Sequence, residues 1–130
     1  KGPLEEELKA QIKKLNLENN FFLAGQFEYP FNLVKQSDFF VFPSIWEGQG
    51  MVLLEALVLG KKVMTSNIPT SVDVLKNGKF GLIVPGTDEE VLMRGMLELL
   101  NHVTKFSEFN GFVYNKNALD HFYKYINMEK

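Results

Sequence analysis

No cysteine occurs among the 130 residues, which excludes disulfides and thiolate metal ligation and makes a reducing, cytoplasmic setting the expected one. No apolar run approaches the roughly 20 residues of a membrane-spanning helix. The opening Lys1-Gly2-Pro3-Leu4-Glu5-Glu6-Glu7 lacks the features of a signal peptide. Peripheral docking on the inner face of a membrane stays open, through a partner domain. Charge of one sign is also lacking: the net charge of -2 and pI near 5.7 exert no global pull on DNA or RNA, so no nucleic-acid partner is expected. There is no internal repeat, no low-complexity segment, no H-E-x-x-H and no clustered Asp/His pattern, so no metal site is expected. What is abundant is apolar: 45% hydrophobic residues and 12 phenylalanines are enough for one domain with a real core, spanning residues 1–130.

Periodicity divides the chain into alternating elements. Leu4, Leu8, Ile12 and Leu15 recur at helical spacing behind Pro3, with acids in the first turn, predicting an amphipathic helix over residues 3–15. Residues 21–25 read as a buried strand closed by Gly25, and residues 31–36 as a short helix. Residues 39–43 form a second apolar run and residues 44–50 a loop of small and polar residues. Residues 51–59 are apolar nearly all round, which predicts a helix buried on several sides and stopped by Gly60. Strands over 61–66 and 80–84 flank a short helix over 71–76. Thr87 with Glu90 has the form of a capping box for a helix reaching Leu100, and a last helix is predicted over 117–128. Strands alternating with helices predict an α/β fold: a Rossmann-like parallel sheet with helices on both faces.

In such a sheet, ligands bind beyond the C-terminal strand ends. After the 39–43 strand stands Ser44-Ile45-Trp46-Glu47-Gly48-Gln49-Gly50-Met51-Val52-Leu53-Leu54-Glu55-Ala56. Gly48 and Gly50 remove side chains where backbone can approach a ligand, and the following helix aims its free N–H groups at the same place, an arrangement suited to a diphosphate. Glu55, amid apolar residues, is expected to need a polar partner. The two hydroxyls of a ribose match its two oxygens. Against this, glycines after a strand are also ordinary turn residues, and a helical Glu is often a solvated one.

The order of these pieces resembles glycosyltransferase family 4, whose members have two Rossmann domains (the GT-B fold). Pro43-Ser44-x-x-Glu47-Gly48-x-Gly50-x4-Glu55-Ala56 is similar to its signature. Gly2-Pro3-Leu4, Phe22-Leu23-Ala24-Gly25, Ser37-Asp38 and Asn77-Gly78-x-x-Gly81-Leu82-Ile83-Val84 follow in the family's sequence as far as about Leu100. The resemblance implies the C-terminal, nucleotide-sugar-binding half of a retaining hexosyltransferase of cell-surface polysaccharide or glycolipid synthesis. Its substrate is a nucleoside diphosphate sugar and it uses no cofactor or catalytic metal. It implies that Glu47 contacts the donor sugar near the reacting carbon and acts as the catalytic group, and that Gly48, Gln49, Gly50, Met51 and Val52 meet sugar and diphosphate through their amides. Glu55 would hold the ribose, and Gln26 or Phe27 would lie near the base.

Two positions depart from the family: Gln49 replaces an aromatic residue between the glycines, and Lys62 replaces a proline before Val63. The family's diphosphate-neutralising Arg and Lys, its first two strands and its N-terminal acceptor domain would precede residue 1. The chain is therefore expected to be a truncated piece, inactive alone, with the strands near residues 39–43, 61–66 and 80–84 as its secure sheet. A noncatalytic nucleotide-binding or partner-docking domain of the same fold is the rival reading. His102 and His121 are expected at surface or packing positions, Lys13-Lys14 and Lys61-Lys62 as solvated charges. Phe106, Phe109, Phe112, Tyr114, Phe122, Tyr123 and Tyr125 are expected mostly in the core.

Overall fold

The computed structural model describes residues 2–128, and by its contacts the chain divides into two compact units, Lys1–Pro30 and Phe31–Lys130. The first unit holds α1, Glu5–Lys14, with acids in its first turn and lysines in its last, each complementing the helix dipole. Lys9 bridges Glu6 at 2.8 Å and Glu5 at 3.0 Å, and these carboxylates raise the lysine's pKa above its usual value. Asn16, in the left-handed conformation, ends the helix. The apolar stripe is there as predicted, yet Leu4, Leu8 and Leu15 are exposed.

Residues 21–25 do not form a strand. Their apolar composition favours an extended chain, but a strand needs a ladder, and this stretch pairs with no other; Phe21, Phe22 and Leu23 are exposed.

The second unit begins with α2, Phe31–Gln36, and continues through β1 Phe39–Phe42, α3 Met51–Val58, β2 Lys62–Ser66, α4 Pro69–Val74, β3 Leu82–Val84, α5 Glu89–Leu100 and α6 Gly111–Met128. The three strands pair in parallel in the order β1-β2-β3. Val41 lies opposite Met64, and Met64 opposite Leu82. Side-chain alternation splits the core into two layers. Phe40, Phe42, Val63 and Ile83 face one side, where Leu53, Ala56 and Leu57 of α3 meet Val74 of α4 and Leu75 after it. Phe39, Val41, Met64, Leu82 and Val84 face the other, against Val91, Leu92, Met96 and Leu99 of α5. The sheet thus carries helices on both faces, as the alternating elements predicted.

Several boundaries differ from their expected places. Asp88, not Thr87, is the N-cap of α5, and it makes no side-chain capping bond. Starting one residue later puts Glu90 at the second helical position, where it pairs with Arg94 one turn on. The last helix starts at Gly111, because Asn110 Oδ1 accepts the N–H groups of Phe112 and Val113, each at 3.1 Å. Lys61 is a tie between elements: its Nζ donates to the carbonyls of Lys35 and Ser37, both at 2.8 Å, holding the end of α2. Lys62 Nζ approaches His102 Nδ1, and His102 itself takes the left-handed turn after α5.

Phe106 and Phe109 pack against the two core layers, with Phe109 edge-on to Phe80 at 5.3 Å, whereas Phe112 is exposed. The side chains of His121, Phe122, Tyr123 and Tyr125 lie outside those described.

Gly95 sets how closely α5 approaches the sheet. A Cβ there would fall 2.5 Å from Met64 Sδ and 2.7 Å from Val84 Cγ1. Alanine is the better helix former by about 1 kcal/mol, but the clash forces rearrangement around fully buried Met64. Gly95→Ala is expected to lower stability by about 1–3 kcal/mol, read as a lower midpoint in urea unfolding of the chain.

Candidate functional site

The polypeptide leaves β1 at Phe42 and enters α3 at Met51, and the connecting residues 43–50 lie at the C-terminal end of the sheet. Short polar loops seldom hold one shape unaided; this one is fastened from behind by hydroxyl groups. Buried Thr65 donates to the Phe42 carbonyl at 2.9 Å and shares a hydrogen bond with buried Ser71, also at 2.9 Å. Ser66 Oγ donates to the Ser44 carbonyl, and Ser44 Oγ to the Trp46 carbonyl at 2.7 Å. Thr70 Oγ1 donates to the Glu47 carbonyl at 2.8 Å. Among the described residues no buried side-chain nitrogen or oxygen lacks a partner, so this polar cluster costs the fold no unpaired group.

Gly50 completes the turn. It caps α3 in the left-handed conformation, φ 64°, and is buried, with Thr70 Cγ2 and Val74 Cγ2 packed where a Cβ would project. No side chain caps α3. Its first backbone bonds to the Gly50 carbonyl come from Leu53 and Leu54, at 3.0 and 3.4 Å, so the N–H groups of Met51 and Val52 are the free donors of a helix start. Gly48 and Gln49 are exposed beside them. Half-buried Glu47 turns back, its Oε1 accepting the Gly48 N–H at 3.0 Å.

Glu55 does not stand where its surroundings in sequence suggested. Helix α3 buries Leu53, Ala56 and Leu57 on one face, while Met51, Glu55 and Val58 form an exposed stripe on the other. The carboxylate is solvated, and the desolvation argument for an obligatory partner lapses. It instead borders a groove of about 330 Å³ whose lining includes Phe31, Leu54, Leu59, Phe109 and Tyr114. Among the described residues no basic side chain forms a salt bridge with it. Gln26 and Phe27 are exposed residues of the first unit, following Gly25. The second unit therefore gathers Glu47, Gly48, Gln49, Gly50, Met51, Val52 and Glu55 around one helix start. Sequence reasoning passed over Thr65, Ser66, Thr70 and Ser71; the signal was the density of hydroxyls in residues 65–71, from the end of a strand into the following helix.

Among the described residues no group of three or more His, Cys, Asp or Glu side chains is placed to hold a metal ion, and no helix is long and apolar enough to cross a membrane.

Comparison with known proteins now assigns the class. The family model for glycosyl transferases, group 1, matches residues 1–109, and the chain belongs to this family. It is 32% identical over 111 residues to an uncharacterized glycosyltransferase of Methanocaldococcus jannaschii, covering 75% of this chain and 27% of that protein. It is also 32% identical over 100 residues to the N-acetylgalactosamine-N,N'-diacetylbacillosaminyl-diphospho-undecaprenol 4-alpha-N-acetylgalactosaminyltransferase of Campylobacter jejuni, covering 76% of this chain and 27% of that one. With a D-rhamnosyltransferase of Pseudomonas aeruginosa the identity is 33%, over 82% of this chain and 29% of the relative. The chain thus spans a little over a quarter of the length of these relatives.

Replacing Gly50 by alanine puts a Cβ in the left-handed region, at about 1–2 kcal/mol, and presses it to 3.1 Å from Thr70 Cγ2. Gly50→Ala is expected to lower the urea midpoint accordingly. An unchanged midpoint would show that the left-handed turn is dispensable.

Proposed function

We propose that residues 47–55 bind a nucleoside diphosphate sugar, and that the whole protein transfers the sugar, with retention at the anomeric carbon, to an acceptor of cell-surface polysaccharide or glycolipid assembly. The observation that carries the reading is the uncapped start of α3, reached through buried, left-handed Gly50 and flanked by exposed Gly48 and Gln49. Free N–H groups at the positive end of a helix favour a diphosphate, and the glycines leave it room. Glu55 stands about 5–6 Å further along the axis than Met51 and Val52 by the helical rise, a separation suited to a ribose whose diphosphate meets those two residues. The groove it borders is apolar and aromatic, the character that suits a nucleobase.

Glu47 takes a different part. A carboxylate repels phosphate, but it accepts hydrogen bonds from sugar hydroxyls, and its present bond to Gly48 N–H holds it at the loop. Preorganised polar groups near the reacting carbon are the kind that stabilise developing charge. The reading names no cofactor: the donor is itself the substrate. A second domain carrying the acceptor would complete the reaction site. The family membership and the relatives' names support transferase chemistry; donor, acceptor and linkage belong to this proposal.

Glu55→Gln keeps the side chain's size and removes its charge. Because the carboxylate is exposed, the expected loss is near the low end for a charged hydrogen bond, about 1.5 kcal/mol or roughly tenfold in nucleoside diphosphate affinity, with folding unchanged. Calorimetric titration checks it, and equal affinities would remove Glu55 from the site. Glu47→Gln, made in the whole protein, is expected to cut turnover about tenfold or more while affinity for the bare nucleoside diphosphate stays within about twofold. Equal losses for nucleotide and nucleotide sugar would contradict that division of roles.

A further inference from the structure

Two side chains of the loop have no part in the reading above. Ile45 and Trp46 are 82% and 79% exposed, although an indole is among the largest apolar groups a core can use. Looseness of the loop does not explain them. The backbone is fastened on both sides, by Ser66 to the Ser44 carbonyl, by Ser44 to the Trp46 carbonyl and by Thr70 to the Glu47 carbonyl. The indole is exposed on a segment whose backbone is fixed, one residue before half-buried Glu47 and two before Gly48.

We infer that Trp46, backed by Ile45, is the apolar wall against which the donor's sugar ring lies. The inference rests on the donor-site reading and deepens it. A pyranose presents a face of C–H groups and a rim of hydroxyls, so its binding site needs an apolar surface beside hydrogen-bond acceptors. Trp46 and Glu47 supply the two from adjacent positions. A wholly apolar occupant, such as a lipid chain or a hydrophobic protein patch, would cover the Glu47 carboxylate without satisfying it, at the cost of a desolvated charge. A ring carrying hydroxyls satisfies both neighbours at once.

Trp46 is the chain's single tryptophan, so its emission reports this position alone. The test titrates the 130-residue chain with UDP, UDP-glucose, GDP and GDP-mannose, following fluorescence and, separately, calorimetric heat. A nucleotide sugar should shift the emission to the blue, and the matching diphosphate should not. Trp46→Ala should weaken nucleotide-sugar affinity about fivefold while leaving diphosphate affinity and the urea midpoint unchanged, and Trp46→Phe should recover most of the loss. If diphosphates bind while emission and Trp46→Ala are both insensitive to the sugar, the wall is overturned and the donor site stands. If none of the four ligands binds the unaltered chain, calorimetry of the whole protein with the same four decides: binding there that is unaffected by Trp46→Ala overturns the wall, and no binding there overturns the donor-site reading with it.

Discussion

The middle strand must satisfy more neighbours than any other element. With β1 on one edge, β3 on the other and helices on both faces, β2 has every residue from Val63 to Ser66 buried. Val63 and Met64 answer that constraint with apolar contacts in opposite layers. Thr65 and Ser66 cannot, and an unpaired buried hydroxyl is costly, so their hydroxyls must find acceptors. They find them in the carbonyls of Phe42 and Ser44, at the end of the neighbouring strand and the start of its loop. The polar half of the central strand thereby shapes the segment in which the candidate site lies. The site's geometry is a consequence of how the core resolves its own polarity.

Much of the fold was readable because the relevant signals are local. Helix α2 falls on its expected residues, 31–36, and all three strands of the sheet lie within the expected segments; β1 and β3 are the compact apolar stretches that a buried parallel strand leaves. Residues 21–25 carry the same signal without the partner that would make it a strand, and partners are not a local property. Glu55 was misplaced for a related reason. A helix apolar nearly all round hides its phase, and only the packed structure reveals that Met51, Glu55 and Val58 share the outer stripe. Lys61 and the hydroxyls of Thr65, Ser66, Thr70 and Ser71 act across 6 to 26 residues of separation, beyond any short motif.

The candidate site was legible in outline, because glycines ahead of a helix state a backbone requirement that few other residues can meet. Gly50 meets it through its positive φ and its buried contact with Thr70 and Val74. Gly48 meets nothing within 4 Å of where a Cβ would lie, so its value to the loop lies in the open space it leaves. What the motif could not convey is the way the loop is supported. Membership of the group 1 glycosyltransferases sets the motif in a transferase family, while the hydroxyl ties explain how a polar, glycine-bearing segment keeps one shape.

Those ties have a consequence for how such a protein diversifies. Each one ends on a main-chain carbonyl, at Phe42 where the strand ends or at Ser44, Trp46 or Glu47 of the loop, and a carbonyl is present whatever side chain its residue bears. Apart from Ser44, whose own hydroxyl makes one tie, and Gly50 at the left-handed turn, the shape of the segment is thus uncoupled from the side chains it displays. Positions 45, 46 and 49 are exposed and free of these anchoring duties. A lineage, or a protein engineer, could exchange them to recognise a different ligand without first having to rebuild the scaffold beneath.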